Sequence, residues 1–364
     1  EPGRRMMDFS VDPDVRRART PDKALYLDPA MWARTRERVF ARCWHWLGDL
    51  HDVAEPGSLS PRLLLPGLLD EPLLLTRDDG GTLRCLSNVC THRGNLLVQA
   101  PCRAGQIRCG YHSRRFDLAG QMLFMPGFEG ACDFPAASDH LPELAFGLLG
   151  PQGFASLDPV APLADFIGAA AARCGGIDLQ RCVHDPSRDR DWEFDAHWAL
   201  YVENYLEGLH IPFVHPGLTQ ALDLSGYGYE LQRWSTLQLA TASDGEAAFE
   251  LPADSPESGR RIAAYYWWIF PNLMLNFYPW GLSLNLVMPL APDRTRVLFR
   301  SYVRDPAQLG LGAGGALDSV ELEDEAVVQT VQRGIRSRLY SRGRYAPQAE
   351  VGVHHFHRLW CEML

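Results

Sequence analysis

The chain has no stretch of about 18 consecutive apolar residues, so a membrane-spanning helix is not expected. Positive charge is in deficit: 45 Asp and Glu against 35 Lys and Arg give a net charge of −10. Nucleic acid and anionic membrane surfaces both demand basic patches, so neither is expected as a partner. Cysteine is sparse and odd in number, nine in 364 residues, which makes no disulfide framework. Cys43, Cys132, Cys174, Cys182 and Cys361 stand alone, and Cys85 and Cys102 fall outside any ligand spacing, so all of these read as buried, inert thiols. A reducing cytoplasm fits that usage. The N-terminal EPGRRMMDFSVDPDVRRART holds charge but no apolar core and no cleavage site, so no signal peptide is expected. The chain also starts without Met, which leaves room for residues ahead of Glu1. No repeat or low-complexity tract appears. With 46% hydrophobic and 22% charged residues, the composition is that of a globular enzyme of one large or two moderate domains.

Residues 57–125 carry short apolar runs cut by Gly and Pro, and Asp79-Gly80-Gly81 between two such runs signals a hairpin. This region reads as a small β domain. Pro126, Pro135, Pro142, Pro151, Pro159 and Pro162 then mark a boundary segment. Beyond it, 195–211 reads as helix, 262–303 as several long strands and 319–340 as helix again. Helices and antiparallel strands in separate blocks predict an α+β second domain.

The stretch CTHRGNLLVQAPCRAGQIRCGYH holds Cys90-x-His92 and Cys109-x2-His112, with sixteen residues between the pairs. Zinc motifs pair like with like, Cys-x2-Cys followed by His-x3-5-His. Here each loop offers one ligand of each kind. That pattern suits a Rieske [2Fe–2S] cluster, whose one iron takes two cysteines and whose other takes two histidines. Gly94 and Gly110 leave room for backbone N–H groups to approach the sulfurs.

A cluster alone makes an electron carrier, and such a carrier leaves everything after about residue 150 unexplained. In WALYVENYLEGLHIPFVHPGL, Asn204, Glu207 and His210 are spaced i, i+3, i+6, a polar stripe on an otherwise apolar helix. Pro212 ends that helix and lets the chain bring His215 back beside His210. Two converging histidines suit a mononuclear non-haem Fe(II) centre if a carboxylate completes the set. In SVELEDEAVVQTVQRGIRSR, Val320, Val327, Val328, Val331 and Ile335 form an apolar stripe, and Asp324 is the acid lying squarely on it. Glu321 and Glu323 flank the stripe, and Glu325 points to the side of Gln329 and Gln332.

CTHRGNLL and CGYHSRRFDLAG, together with Glu207-x2-His210-x4-His215 and the Glu323-Asp324 helix with Gln332 and Gly334, resemble the α subunits of Rieske non-haem iron oxygenases, the aromatic ring-hydroxylating dioxygenases. The likeness covers nearly the whole chain. Asn95 and Tyr111 stand where respiratory Rieske proteins place disulfide cysteines, which excludes that branch. His112-Ser113-Arg114 departs from the family's usual His-Gly-Trp. The resemblance implies a Rieske domain at 40–155 and a catalytic domain from 1–39 and 156–364. The latter implied fold is helix-grip, START-like, with a curved antiparallel sheet. It also implies that electrons from NAD(P)H pass through a reductase or ferredoxin to the cluster and then to the iron, where O₂ is activated and one or two oxygen atoms are inserted. A homotrimer is implied, with Glu207 bridging the cluster of one subunit to the mononuclear iron of its neighbour. Glu at this position is similar to the branch acting on choline, glycine betaine, carnitine and related methylated amines, where dioxygenases of aromatic hydrocarbons usually carry Asp. A small methylated or quaternary amine is therefore the expected substrate. An aromatic ring or aromatic acid is the alternative, and a Rieske electron carrier or a zinc-bound structural protein the rival class.

Trp268, Phe270, Asn272, Met274, Asn276 and Tyr278 share one face of a strand run and are candidates to line a pocket over the iron. Arg114 and Arg115 either steer an acidic ferredoxin or form ion pairs within the chain. His354, His355 and His357 read as surface or helix-packing groups, and His197 as structural.

Overall fold

A computed structural model describes residues 9–364; the leading EPGRRMMD, part of the segment in which no signal peptide is expected, lies outside the described residues. No helix among the described residues is long and apolar enough to cross a membrane. Ala41–Val160 forms one compact unit, and the segment up to Phe40 with Ala161–Leu364 forms the other.

The first unit is built of β1 (His45–Asp49), β2 (Ser58–Leu64), β3 (Glu71–Arg77), β4 (Leu83–Ser87), β5 (Cys102–Arg103), β6 (Ile107–Arg108), β7 (Arg115–Phe116), β8 (Met122–Phe124), β9 (Ala145–Leu149) and β10 (Gln152–Ser156). They form small sheets of order β4-β3-β2-β5, β6-β7-β8 and β1-β10-β9. The Asp-Gly-Gly turn does join β3 to β4: Gly81 takes φ +83°, and Asp78 accepts N–H bonds from Gly81 and Thr82. Buried Leu59, Leu74, Leu86, Ile107 and Phe116 gather around Cys90 and Cys109 and fix the cluster loops to the sheets.

In the second unit, α1 (Ala24–Leu27), α2 (Pro29–Arg38) and α3 (Leu163–Ala172) precede β11 (Val183–His184), β12 (Arg190–Phe194), α4 (Trp198–Tyr205), α5 (Ile211–Val214) and α6 (Pro216–Ala221). Then come β13 (Leu222–Leu231), β14 (Ser235–Ala242), β15 (Ile262–Ile269), β16 (Leu273–Tyr278), β17 (Gly281–Ala291), β18 (Arg294–Val303), α7 (Leu317–Gly334) and α8 (Val351–Met363). The antiparallel sheet runs β11-β18-β17-β16-β15-β14-β13, with β12 also on β18. Strands β15 and β16 are buried along their whole length, which is why they read as unbroken apolar and aromatic runs. Strand β18 alternates outward Arg294, Arg296 and Arg300 with inward Thr295, Val297, Phe299 and Ser301. Register shifts within β13, between β14 and β15, and near Pro289 in β17 let the sheet bend.

Helix α4 lies against β17, α7 and α8. Trp198 and Phe356 meet edge to face at 5.6 Å, and Phe356 meets Trp268 at 5.4 Å. His197 caps α4 by accepting the Ala199 N–H at 3.2 Å, and its burial lowers its pKa to about 3, so it is a neutral structural group. On α8, His357 is held by the hydroxyls of Tyr345 at 2.7 Å and Tyr26 at 3.2 Å, and His354 contacts the Asp12 carbonyl at 2.8 Å. These histidines serve packing. The cysteines divide: Cys43, Cys85, Cys174 and Cys182 are buried and Cys361 partly so, whereas Cys102 and Cys132 are exposed and depart from the expected burial, Cys102 because β5 is a two-residue edge strand and Cys132 because its loop lies at the surface.

Candidate metal centres

The cluster loops share one backbone design. Cys90 N–H donates to Asn95 O at 2.8 Å and Cys109 N–H to Arg114 O at 2.8 Å, five residues on in each case. Gly94 N–H returns to Cys90 O at 3.0 Å and Ser113 N–H to Cys109 O at 3.1 Å, four residues on. That fourth position is left-handed in both loops, φ +72° at Gly94 and +58° at Ser113, so Ser113 takes a conformation cheaper for glycine. Both cysteines are buried. Burial works against a Cys109 thiolate, but the N–H groups of Tyr111 and His112 and the Asn95 amide outweigh it and lower the pKa. Tyr111 N–H lies 3.4 Å and Asn95 Nδ2 3.6 Å from that sulfur. His92 and His112 present their rings edge to face at 4.8 Å. His112 Nδ1 is buried with no hydrogen-bond partner among the described residues, a lone pair or N–H left without its usual satisfaction. Two buried sulfurs and two neighbouring imidazoles, one with an orphaned nitrogen, fit the donor set of a Rieske cluster.

Arg114 does not face outward as a docking group. It is 1% exposed, paired with Asp139, with its guanidinium 5.5 Å from the Phe134 ring. Asp139 O also accepts the Thr91 hydroxyl at 2.8 Å, so the pair braces both loops. Arg115 lies over Phe124 at 4.5 Å.

In the other unit the expected continuous helix breaks. Helix α4 stops at Tyr205, so Asn204 is helical but Glu207 lies in a turn and His210 only precedes α5. Gly208 makes that turn possible: a Cβ there would meet the Tyr227 ring at 3.1 Å, and its N–H donates to Tyr229 OH at 2.9 Å. Pro212 does not stop a helix; it sits in the first turn of α5, where its missing N–H costs nothing. His210 and His215 flank this single turn.

Their Nε2 atoms lie 3.2 Å apart, and Asp324 Oδ1 from α7 lies 3.0 Å from His215 Nε2 and 3.5 Å from His210 Nε2. A cation with bonds of about 2.1 Å at right angles needs ligand atoms about 3 Å apart. The triangle therefore fits one metal ion, and the three side chains form the metal-binding group found among the described residues. Each imidazole is oriented from behind by a carboxylate: His210 Nδ1 by Glu207 Oε1 at 2.6 Å and His215 Nδ1 by Glu323 Oε2 at 2.6 Å. Burial disfavours a charged His215, yet Asp324 and Glu323 outweigh it and raise its pKa, the mark of a site that attracts a cation.

Sequence reading placed Glu321 and Glu323 beside the working face of α7, and the structure corrects it. The buried face runs Glu321, Val328, Gln332, Ile335, while Val331 is exposed. Glu321 accepts Tyr201 OH at 2.6 Å through Oε2, its Oε1 is buried without a partner, and burial pushes its pKa well up. Buried Gln332 takes the His197 N–H at 2.9 Å, ordinary packing of α7 on α4.

A cavity of about 710 Å³ opens over the triangle. Tyr201, Tyr205, Tyr227, Tyr266, Tyr278 and Phe299 supply its rings, and Asn204, Glu207, Glu321 and Asp324 its polar wall nearest the histidines. Of the expected strand face, Asn276 and Tyr278 reach the cavity; Trp268, Phe270 and Met274 do not line it, and Trp268 packs against α8 instead. Burial raises the pKa of Tyr205, Tyr227 and Tyr278 well above the ordinary value, so these rings stay neutral.

Residues 180–364 match the family model for the ring hydroxylating alpha subunit (catalytic domain), and 43–135 match the Rieske [2Fe-2S] domain. Among curated proteins, the chain is 28% identical to chloroplastic choline monooxygenase of Arabidopsis thaliana, over 97% of this chain and 84% of that one. It is 26% identical to the carnitine monooxygenase oxygenase subunit of Escherichia coli (strain K12), over 93% and 92%. Among solved structures, a quaternary ammonium Rieske monooxygenase in complex with L-carnitine superposes with TM-score 0.73 at 22% identity, covering 97% of each chain. Naphthalene 1,2-dioxygenase from Rhodococcus sp. superposes with TM-score 0.70 at 20% identity, covering 94% and 93%.

Proposed function

The chain belongs to the ring-hydroxylating alpha-subunit family and is a Rieske non-haem iron oxygenase with a [2Fe–2S] cluster and a mononuclear iron, and we propose that it oxidises a small methylated or quaternary amine. In this reading Cys90 and Cys109 hold one cluster iron, His92 and His112 the other, and His210, His215 and Asp324 hold the mononuclear iron. The iron supplies O₂ activation at positions left open by its three protein ligands. Electrons reach the enzyme from NAD(P)H through a reductase or ferredoxin, and the working assembly is a homotrimer in which Glu207 links the cluster of one subunit to the iron of the next.

The observation that carries the amine reading is the cavity wall. It combines neutral tyrosine rings with the carboxyl groups of Glu207, Glu321 and Asp324 and, among the described residues, no Arg or Lys. Ring faces attract a methylated ammonium by about 0.5–2 kcal/mol each, and the carboxylates of Glu207 and Asp324 add to that field, whereas Glu321, its pKa pushed up by burial, supplies a polar wall without charge. The alternative occupant for such rings, a neutral arene, gains nothing from the acids. Hydroxylation of a C–H bond beside nitrogen places one oxygen atom in the substrate; the other leaves as water with two electrons and two protons. The resulting carbinolamine splits into an aldehyde and a free amine.

Two experiments test this. With a compatible reductase, coupled NADH and O₂ consumption with product detection is expected to respond to choline- or betaine-type amines and release aldehyde. Conversion of an arene to a cis-diol, with no response to any amine, would reverse the assignment. Separately, Cys109→Ser is expected to abolish the visible absorption of the cluster while the mononuclear iron remains, because the two centres share no ligand. Stoichiometric zinc without a reducible chromophore in the parent protein is the contrary outcome.

A further inference from the structure

A second cavity, of about 580 Å³, lies beside the first and is lined by Arg188, Arg190, Ser283, Ser301 and Asp318, with Phe299 and Leu317 lining both. The strand register explains the adjacency. Asn285 pairs with Phe299 and Ser283 with Ser301, so on the same face of β17 and β18 the first cavity meets Asn285 and Phe299, and the second begins one two-residue step further, roughly 7 Å along the strands.

The charges of this second cavity are not balanced within the chain. Arg190 and Asp318 satisfy each other at 3.1 Å. Arg188 has no ion pair and no hydrogen bond from its side chain among the described residues, and its Nε is buried without a partner. Asp185 is close enough to feel its charge, but that carboxylate accepts instead from the Ser187 N–H at 3.1 Å and hydroxyl at 2.6 Å. The guanidinium is positioned by a 3-10 turn, where Arg188 N–H donates to Asp185 O at 3.1 Å, and by the Trp280 ring 5.4 Å away. A half-buried guanidinium without an anion, beside two serines, is built for planar carboxylate recognition.

We propose that Arg188 with Ser301 forms a carboxylate subsite, beside Ser283, whose hydroxyl donates to Asn285 Oδ1 at 2.9 Å, so that the substrate is a zwitterion with its methylated ammonium in the tyrosine-lined cavity and its acid at Arg188. The proposal rests on the amine reading above and narrows it: betaine-type amino acids bearing a short carbon spacer are substrates, and amino alcohols are weak ones.

The test is calorimetric titration of the iron-loaded enzyme, without reductant, using 4-(trimethylammonio)butanoate and its methyl ester, which keeps the cation and removes the anion. The acid is expected to bind at least about tenfold tighter, the worth of one charge-assisted pair. Arg188→Gln is expected to bring the acid within about twofold of the ester while leaving ester affinity unchanged, and Arg188→Lys to keep part of the preference. If Arg188→Gln does not fold, Ser301→Val, which fills the subsite with methyl groups in a strand position suited to valine, serves for the same comparison. Equal binding of acid and ester by the unaltered enzyme, or a preference that survives these substitutions, overturns the subsite and leaves the amine reading standing. Failure of both probes to bind overturns the amine reading itself, and the subsite with it.

Discussion

Asp324→Ala is expected to empty the mononuclear site while leaving the cluster spectrum untouched. Asp324 Oδ1 closes a triangle with the Nε2 atoms of His210 and His215 and is its one anionic corner. Without it only two imidazoles face each other, and a hard divalent cation loses the oxygen donor that distinguishes this ligand set. Loss of an outer carboxylate typically costs ten- to hundredfold in metal affinity, so loss of this ligand is expected to cost more than about hundredfold. Iron per chain after dialysis, read beside cluster absorbance, checks the result, and turnover is expected to vanish with the iron. Glu323→Gln provides the scale: glutamine keeps an acceptor oxygen for His215 Nδ1, so iron affinity is expected to fall by less than about tenfold. Full iron retention in Asp324→Ala would mean that the triangle is not the iron site.

How much of this was readable from residues alone depended on the range of the interaction that decides each feature. The Cys-x-His and Cys-x2-His loops are local: two matching backbone turns present both ligands of each pair, so spacing alone carries the pattern. Helical phase singles out Asp324 as the inward acid because α7 is long and regular. The helix break after Tyr205 was not found, since it depends on Tyr227 and Tyr229, which arrive from β13 to crowd and bond Gly208. Apolar patterning also ranked Glu321 and Glu323 too low. A carboxyl group that binds Tyr201 or His215 breaks the polar-outside rule only because its partner sits on another element. For Arg114 the residues alone leave docking and an internal ion pair both open, and the ion pair is decided by Asp139, 25 positions away. The cavity was the least readable feature, because Tyr227, Tyr266, Tyr278 and Phe299 meet only when distant strands pair.

Glu207→Gln is expected to separate holding iron from reducing it. In the structure Glu207 is a positioning residue: Oε1 takes the His210 Nδ1–H at 2.6 Å, and Oε2 takes the N–H groups of Leu209 and His210. Glutamine keeps one oxygen, which can hold the imidazole or the turn but not both, at a cost of about 1 kcal/mol and less than about tenfold in iron affinity. If orientation were its whole role, turnover would fall by about the same modest factor. The proposed bridge between subunits demands far more, because electrons then cross a gap whose charged link has been removed, and turnover is expected to drop at least about hundredfold with all iron retained. Single-turnover mixing of enzyme carrying a pre-reduced cluster with O₂ and substrate distinguishes the two. The bridge requires cluster oxidation itself to slow, whereas a purely orienting Glu207 leaves that rate near normal at full iron occupancy. Iron loss in Glu207→Gln, together with iron retention in Asp324→Ala, would exchange the roles of the two carboxylates and make Glu207 the ligand.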